Sequence, residues 1–160
     1  MDSDMAVVCP DQVFLRRQTQ LICNSYRQWT GRTLIDGDPA SDEAAKRLFE
    51  AGFAVLSHDT RPDPVFNYAN RFAMRLFGMS WQEITQSPSR HSAEAMLQED
   101  RDRLLKRVSA DGYVDDYSGV RIAKDGSRFM IRNATVWNLI DENGVFHGQA
   151  ALITEWQSLR

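Results

Sequence analysis

The stretch FAVLSHDTRPDPVFNYANRFAMRLFGM, residues 53–79, decides the fold. A short apolar strand leads into a polar turn with Pro62 and Pro64, and a second strand ends in Asn67-Tyr68-Ala69-Asn70. The period then changes. Val65, Phe66 and Tyr68 are good strand formers, whereas Phe72, Ala73, Leu76 and Phe77 recur at intervals of three and four and mark one face of a short helix. Asn70 stands where an N-cap belongs, since its amide oxygen can accept from N–H groups of the first turn. Gly78 closes the helix.

Upstream, residues 1–10 read as a mobile leader ending at Pro10. A helix capped by Asp11 follows, with Leu15, Ile22, Tyr26 and Trp29 along one side, until Gly31 stops it. Asp38-Pro39 reads as the N-cap and first position of a second helix, with Ala45, Leu48 and Phe49 on its apolar side and Gly52 as its stop. Residues 11–52 thus form a helical segment ahead of the first strand.

Downstream, Ser80-Trp81-Gln82-Glu83 fits a capping box, and a longer helix is expected over about 93–109. Its buried side holds Leu97, Leu104 and Val108, while the Glu99 to Arg103 and Asp102 to Lys106 pairs belong to a solvated face. The remainder is sheet. Strands over 113–122, 128–140 and 145–156 are separated by Lys124-Asp125-Gly126 and Asp141-Glu142-Asn143-Gly144, both hairpin signals. In the middle run, Phe129 and Ile131 have one parity and Ala134 and Val136 the other. A regular strand cannot bury all four on one face, so a β-bulge is expected near Arg132-Asn133. Trp137 then points to the outer face, where the N-terminal helix is its natural cover.

At 160 residues, 42% of them apolar and 10% aromatic, the chain supports one domain with a single core. A formal charge of −3, with both signs interspersed, gives no general attraction for nucleic acid or anionic membrane. No apolar run approaches the length of a membrane span, and Met1-Asp2-Ser3-Asp4 lacks the character of a signal peptide. A cytoplasmic protein is expected, with Cys9 and Cys23 as free thiols.

The strand-turn-strand-helix opening resembles that of a PAS domain, whose second strand reads roughly I-x-Y-x-N and is followed by G-x-S-x-E-E. Val65, Phe66, Tyr68, Asn70, Gly78, Ser80 and Glu83 stand at the matching places. Four longer strings are more specific: SYRQWTGR at 25–32, FNYANRFAMRLFGMSWQE at 66–83, DDYSGVRI at 115–122 and ATVWNLID at 134–141. Together they resemble the MEKHLA family, a PAS-related domain found as small stand-alone bacterial proteins and at the C-terminus of plant class III homeodomain leucine-zipper regulators. The resemblance covers about residues 20–156, and the absence of the six-letter string that names the family points to the bacterial branch. It implies an α+β fold: a five-stranded antiparallel sheet in the order 2-1-5-4-3, flanked by short helices, over residues 53–160, with 11–52 as an addition. It also implies a sensory or regulatory module without catalysis, with a small ligand in an internal cup. The alternatives are a ligand-free module for dimerisation or protein interaction and, third, an enzyme acting on a small molecule, which has only scattered polar residues behind it.

No G-x-x-x-x-G-K, G-x-G-x-x-G, G-x-S-x-G or H-E-x-x-H occurs, and neither a catalytic set nor a metal site is expected. Asp115 and Asp116 are adjacent on a strand and so point to opposite faces, which prevents them from sharing one site. Photoactive flavin-binding PAS relatives carry an N-C-R-F-L-Q string, but the equivalent zone here, SWQEITQSPSRHS at 80–92, has no cysteine. A covalent flavin photocycle is not expected. Noncovalent flavin is allowed but unsupported, and one histidine beside no other signal does not specify haem. By the PAS layout, an apolar cup would be lined by Phe72, Leu76, Leu97, Leu104, Val120 and Leu152, with polar contacts from Tyr68, Asn70, Arg90, His91 and Asn133. The alternative for these polar residues is a role as caps and buried hydrogen-bonding groups.

Overall fold

The computed structural model of the protein describes residues 11–93 and 98–159. The expected leader at 1–10 and Leu97 lie outside the described residues. The elements in chain order are α1 (Gln12–Thr30), α2 (Asp42–Phe49), β1 (Ala54–His58), β2 (Phe66–Ala69), α3 (Arg71–Phe77) and α4 (Trp81–Ile84). A 3-10 turn (Ser89–Ser92), α5 (Gln98–Asp111), β3 (Tyr113–Ile122), β4 (Arg128–Ile140), β5 (Phe146–Ile153) and β6 (Trp156–Leu159) complete them.

The sheet is antiparallel in the order β2-β1-β5-β4-β3, as the element order and strings implied. The short β6 prolongs β5 along β4, Thr135 facing Leu152 and Ile131 facing Trp156. Its separation from β5 has a local cause. Between Ile131 and Ala134, β4 takes one residue more than β3, and Asn133 is in the left-handed region at φ 52°. The bulge expected near Arg132-Asn133 is therefore present, and the partner strand is interrupted opposite it, where Arg132 N–H donates to Glu155 O at 3.1 Å. A second shift between Val114 and Tyr117 puts an extra residue into β3 and restores the register.

The bulge lets Phe129, Ile131 and Ala134 face one core together with Leu56, Met74 and Phe77. Trp137 and Leu139 face the other side, against Leu15, Ile22, Tyr26, Ala45 and Leu48 of α1 and α2. The N-terminal helix is thus the cover of the outer face. Tyr26 meets the fully buried Trp137 edge-on with ring centroids 4.9 Å apart, and Trp137 Nε1 donates to Ile22 O at 3.3 Å. Burying an indole of this kind contributes about 4–6 kcal/mol of transfer free energy as an upper bound, so the seam between α1 and the sheet is a main source of stability.

Local signals set the helix ends. Asn70 caps α3 through Ala73 N–H, and Ser80 and Glu83 form the capping box of α4. Two expected boundaries differ. Asp38 accepts from Ala40 N–H in a turn, and Ser41, which accepts from Ala44 N–H, caps α2 instead. That helix ends at Phe49, with Glu50 as its C-cap, before Gly52. Asp11 is in the N-cap position of α1 but makes no side-chain cap bond.

Candidate functional site

Between the inner sheet face, α3, the 3-10 turn and α5, packing leaves a cavity of about 70 Å³. Its walls are mostly apolar, with Leu56 and Phe66 from β1 and β2, Phe77 from α3, Leu104 from α5, Ile131, Ala134 and Val136 from β4, and Ile153 from β5. Period two along the strands, corrected by the Asn133 bulge, brings these side chains to one face. Polar groups interrupt the lining at Ser57, His58, Ser89, Ser92, Tyr117, Arg121 and Gln149.

Gln149 shows how the polar side is wired. Asn138 Nδ2 donates to Val108 O at 3.0 Å, so Asn138 Oδ1 faces Gln149 and accepts from its Nε2 at 3.0 Å. That leaves Gln149 Oε1 as a buried acceptor without a donor among the described residues. Ser57 is better satisfied, accepting from Gln18 Nε2 and donating to Asn67 Oδ1.

The expected site residues are dispersed. Leu104 lines the cavity. Phe72 and Leu76 pack on the same inner core but outside the cavity lining, Phe72 edge-on to Trp156 with centroids 5.1 Å apart and Leu76 beside a surface depression with Gly78 and Lys124. Tyr68 lies on the outer face against Trp81, fully buried, and burial pushes its hydroxyl well above the usual phenol range. Asn70 is buried and bonded to backbone. Arg90 is exposed and ion-paired with Asp63 at 3.0 Å, His91 is exposed, and Asn133 is exposed at the bulge. Leu152 belongs to the outer core, and Val120 alternates with the inward Tyr117 and Arg121, so both fall on the side away from the cup.

Arg121 and Tyr117 are the cup residues that the sequence reading passed over. Their signal was present in DDYSGVRI: Tyr117, Gly119 and Arg121 share one parity on β3. Among the described residues no three of His, Cys, Asp or Glu are placed to hold a metal ion. No described helix is long and apolar enough to cross a membrane.

The model of the MEKHLA domain family matches residues 16–158, taking in both the N-terminal helices and the sheet. The chain belongs to this family. A curated relative, the homeobox-leucine zipper protein ATHB-9 of Arabidopsis thaliana, is 26% identical over 145 residues. That match takes in 84% of this chain but only 17% of the plant protein, so the chain spans a small part of that relative's length. The fold of this MEKHLA domain is similar to a PAS domain from Colwellia psychrerythraea, with a TM-score of 0.62 at 17% identity over 71% of this chain and 93% of that one. The light-state dimer of the fungal blue-light photoreceptor Vivid gives 0.60 at 17% identity, over 86% and 93%. An RNA-binding light-oxygen-voltage receptor gives 0.59 at 18% identity, over 69% of this chain and 31% of that one. At these identities the likeness shows the fold, which is PAS-like.

Proposed function

We propose that this MEKHLA domain is a cytoplasmic sensory or regulatory module that takes a small ligand into the cup of its PAS-like core, residues 53–160, without catalysis. The helical segment at 11–52 serves as the cover of the sheet and as the route by which ligand occupancy is passed on. The cavity carries this reading: it is apolar, backed by a rigid sheet, and edged by a few convergent polar groups, which is the composition of small-molecule sites. The light-oxygen-voltage receptors among its structural neighbours support a sensory role by analogy of fold. A space of about 70 Å³ is well below the roughly 300–1,000 Å³ of common ligand pockets, so a flavin or haem requires the cup to widen. Native mass spectrometry of protein purified from its own host tests the reading. A retained small molecule that raises the melting temperature when added back supports it.

The small cup also favours a second reading, a ligand-free interaction or dimerisation module. Val145, Phe146 and Trp156 are exposed, and the first two sit at the β4–β5 hairpin where a partner has access. A dimer in the native spectrum, with no ligand retained and no ligand found by thermal screening, selects this reading over the first. Neither nucleic acid nor membrane is part of either.

A further inference from the structure

Arg121 and Tyr117 bring a cluster of hydrogen-bond donors to the cup lining. Arg121 Nη2 donates to Tyr117 Oη at 2.9 Å, and its Cζ lies 5.2 Å from the centroid of the Tyr117 ring. Gly119 permits this arrangement, because a Cβ there would stand 2.5 Å from the Tyr117 hydroxyl. That hydroxyl oxygen accepts from Arg121, so its own hydrogen is directed elsewhere. The guanidinium has five N–H donors and spends one of them on Tyr117.

Among the described residues, no carboxylate is ion-paired with the charge of Arg121. The cavity lining contains no Asp or Glu among the described residues. Several surface arginines are ion-paired, among them Arg32 with Asp115, Arg90 with Asp63 and Arg107 with Asp116, whereas Arg121 meets only a neutral phenol among the described residues. Burial lowers the pKa of Arg121 from the ordinary arginine value, with Tyr117 opposing, although the residue as a whole is only half-buried. Arginine stays protonated under such shifts, so the positive charge persists beside an apolar wall. A cation placed this way is stabilised by an anion that brings acceptor oxygens.

We propose that Arg121 and Tyr117 form the carboxylate-binding end of the cup and that its ligand is a monocarboxylate with a short apolar tail. The proposal rests on the cup being a ligand site. A carboxylate takes two parallel bonds from the guanidinium fork and a third from the Tyr117 hydroxyl, and one negative charge balances one positive charge. Inorganic phosphate brings more charge and more acceptors than this end satisfies. The tail lies against Phe77, Leu104, Ile131 and Ile153. The volume is about half of the roughly 150 Å³ engineered cavity that admits benzene, which limits the tail to about two to four carbons.

The test is calorimetric titration of the full chain with butyrate, its neutral match butyramide, 1-propanol and inorganic phosphate, in the wild type, Arg121→Gln and Tyr117→Phe. Butyrate should bind at least tenfold more tightly than butyramide, Arg121→Gln should abolish that preference, and Tyr117→Phe should weaken butyrate severalfold. Equal binding of butyrate and butyramide, or an unchanged preference in Arg121→Gln, overturns the carboxylate end while leaving the cup as a ligand site. Phosphate binding tighter than butyrate overturns the ligand class. If none of the four compounds binds and native mass spectrometry finds no retained molecule, the ligand-site reading falls with it. Should Arg121→Gln not fold, NMR of the wild type decides: butyrate should shift the Arg121 Nε–Hε resonance together with the Leu104 and Ile131 methyls. Absence of those shifts overturns the proposal.

Discussion

The side-chain oxygen of Asn70 accepts from the backbone N–H of Val55 at 3.1 Å, tying the start of α3 to the first strand. The same oxygen accepts from Ala73 N–H at 3.0 Å, and Nδ2 donates to Leu48 O at 3.0 Å and to Phe53 O at 2.8 Å. One fully buried amide therefore joins α2, β1, β2 and α3 with every bond satisfied. Asn70→Ala leaves these backbone groups unpaired, and the expected loss is about 3 kcal/mol or more in urea unfolding. Asn70→Asp keeps the acceptor but turns an oxygen toward the two carbonyls, and it should cost about as much at neutral pH. A loss below about 1 kcal/mol for either variant contradicts this role.

Gly148 is the second single point on which the sheet depends. Its φ is +119°, and a Cβ there would lie 2.0 Å from the carbonyl oxygen of His58, which is backbone and cannot swing away. Gly148→Ala should destabilise by more than about 2 kcal/mol and speed amide exchange along the β1–β5 ladder. Wild-type stability in that variant would rule out the close approach of the two strands.

The outcome at particular residues shows what the sequence could carry. The Asn133 bulge was legible because four apolar residues in β4 had conflicting parity, and only an extra residue reconciles them. Trp137 and its cover by α1 followed from the same reading. Val120 and Leu152 went to the wrong face because face assignment in a strand turns on a single residue of register, and nothing in either strand's own composition marked which side was buried. Tyr68 was misplaced for the same reason. Arg90 and His91 stand close in sequence to the long helix but lie on the surface, whereas Arg121 reaches the cup from an edge strand: parity in DDYSGVRI groups it with Tyr117, and only the three-dimensional surroundings decide which face that parity takes.

Acid should weaken the fold through three hairpin and cap carboxyls. Lys124 and Ser80 hold Glu83 below its ordinary pKa, Ser127 does so for Asp125, and His147 with Val145 N–H for Asp141. A carboxyl with a depressed folded pKa contributes stability that is present above its unfolded pKa, near 4, and lost as pH falls through the folded value. The melting temperature should thus begin to decline below about pH 4, with a shallower decline in Asp141→Asn. An identical acid limb in that variant removes Asp141 from the account.

Cys23 offers a direct readout of the seam between α1 and the sheet. Its thiol is buried in the same cluster as Tyr68 and Trp137, and burial pushes its pKa up to about 12. The raised value means that its stabilising contribution is whole below the unfolded thiol pKa of about 8.5 and fades as pH climbs from there toward the folded value. At pH 8 the native thiol should therefore be inert to a thiol reagent, because the thiolate forms only when α1 lifts from the outer face. In a Cys9→Ser background the labelling rate measures that opening. Tyr26→Ala, which removes the edge contact with the Trp137 ring, should raise the rate by at least about tenfold, equivalent to 1.4 kcal/mol of seam stability, before global unfolding is seen. Rapid labelling of the wild-type protein at pH 8, or no change in Tyr26→Ala, would mean that α1 does not hold the outer face closed.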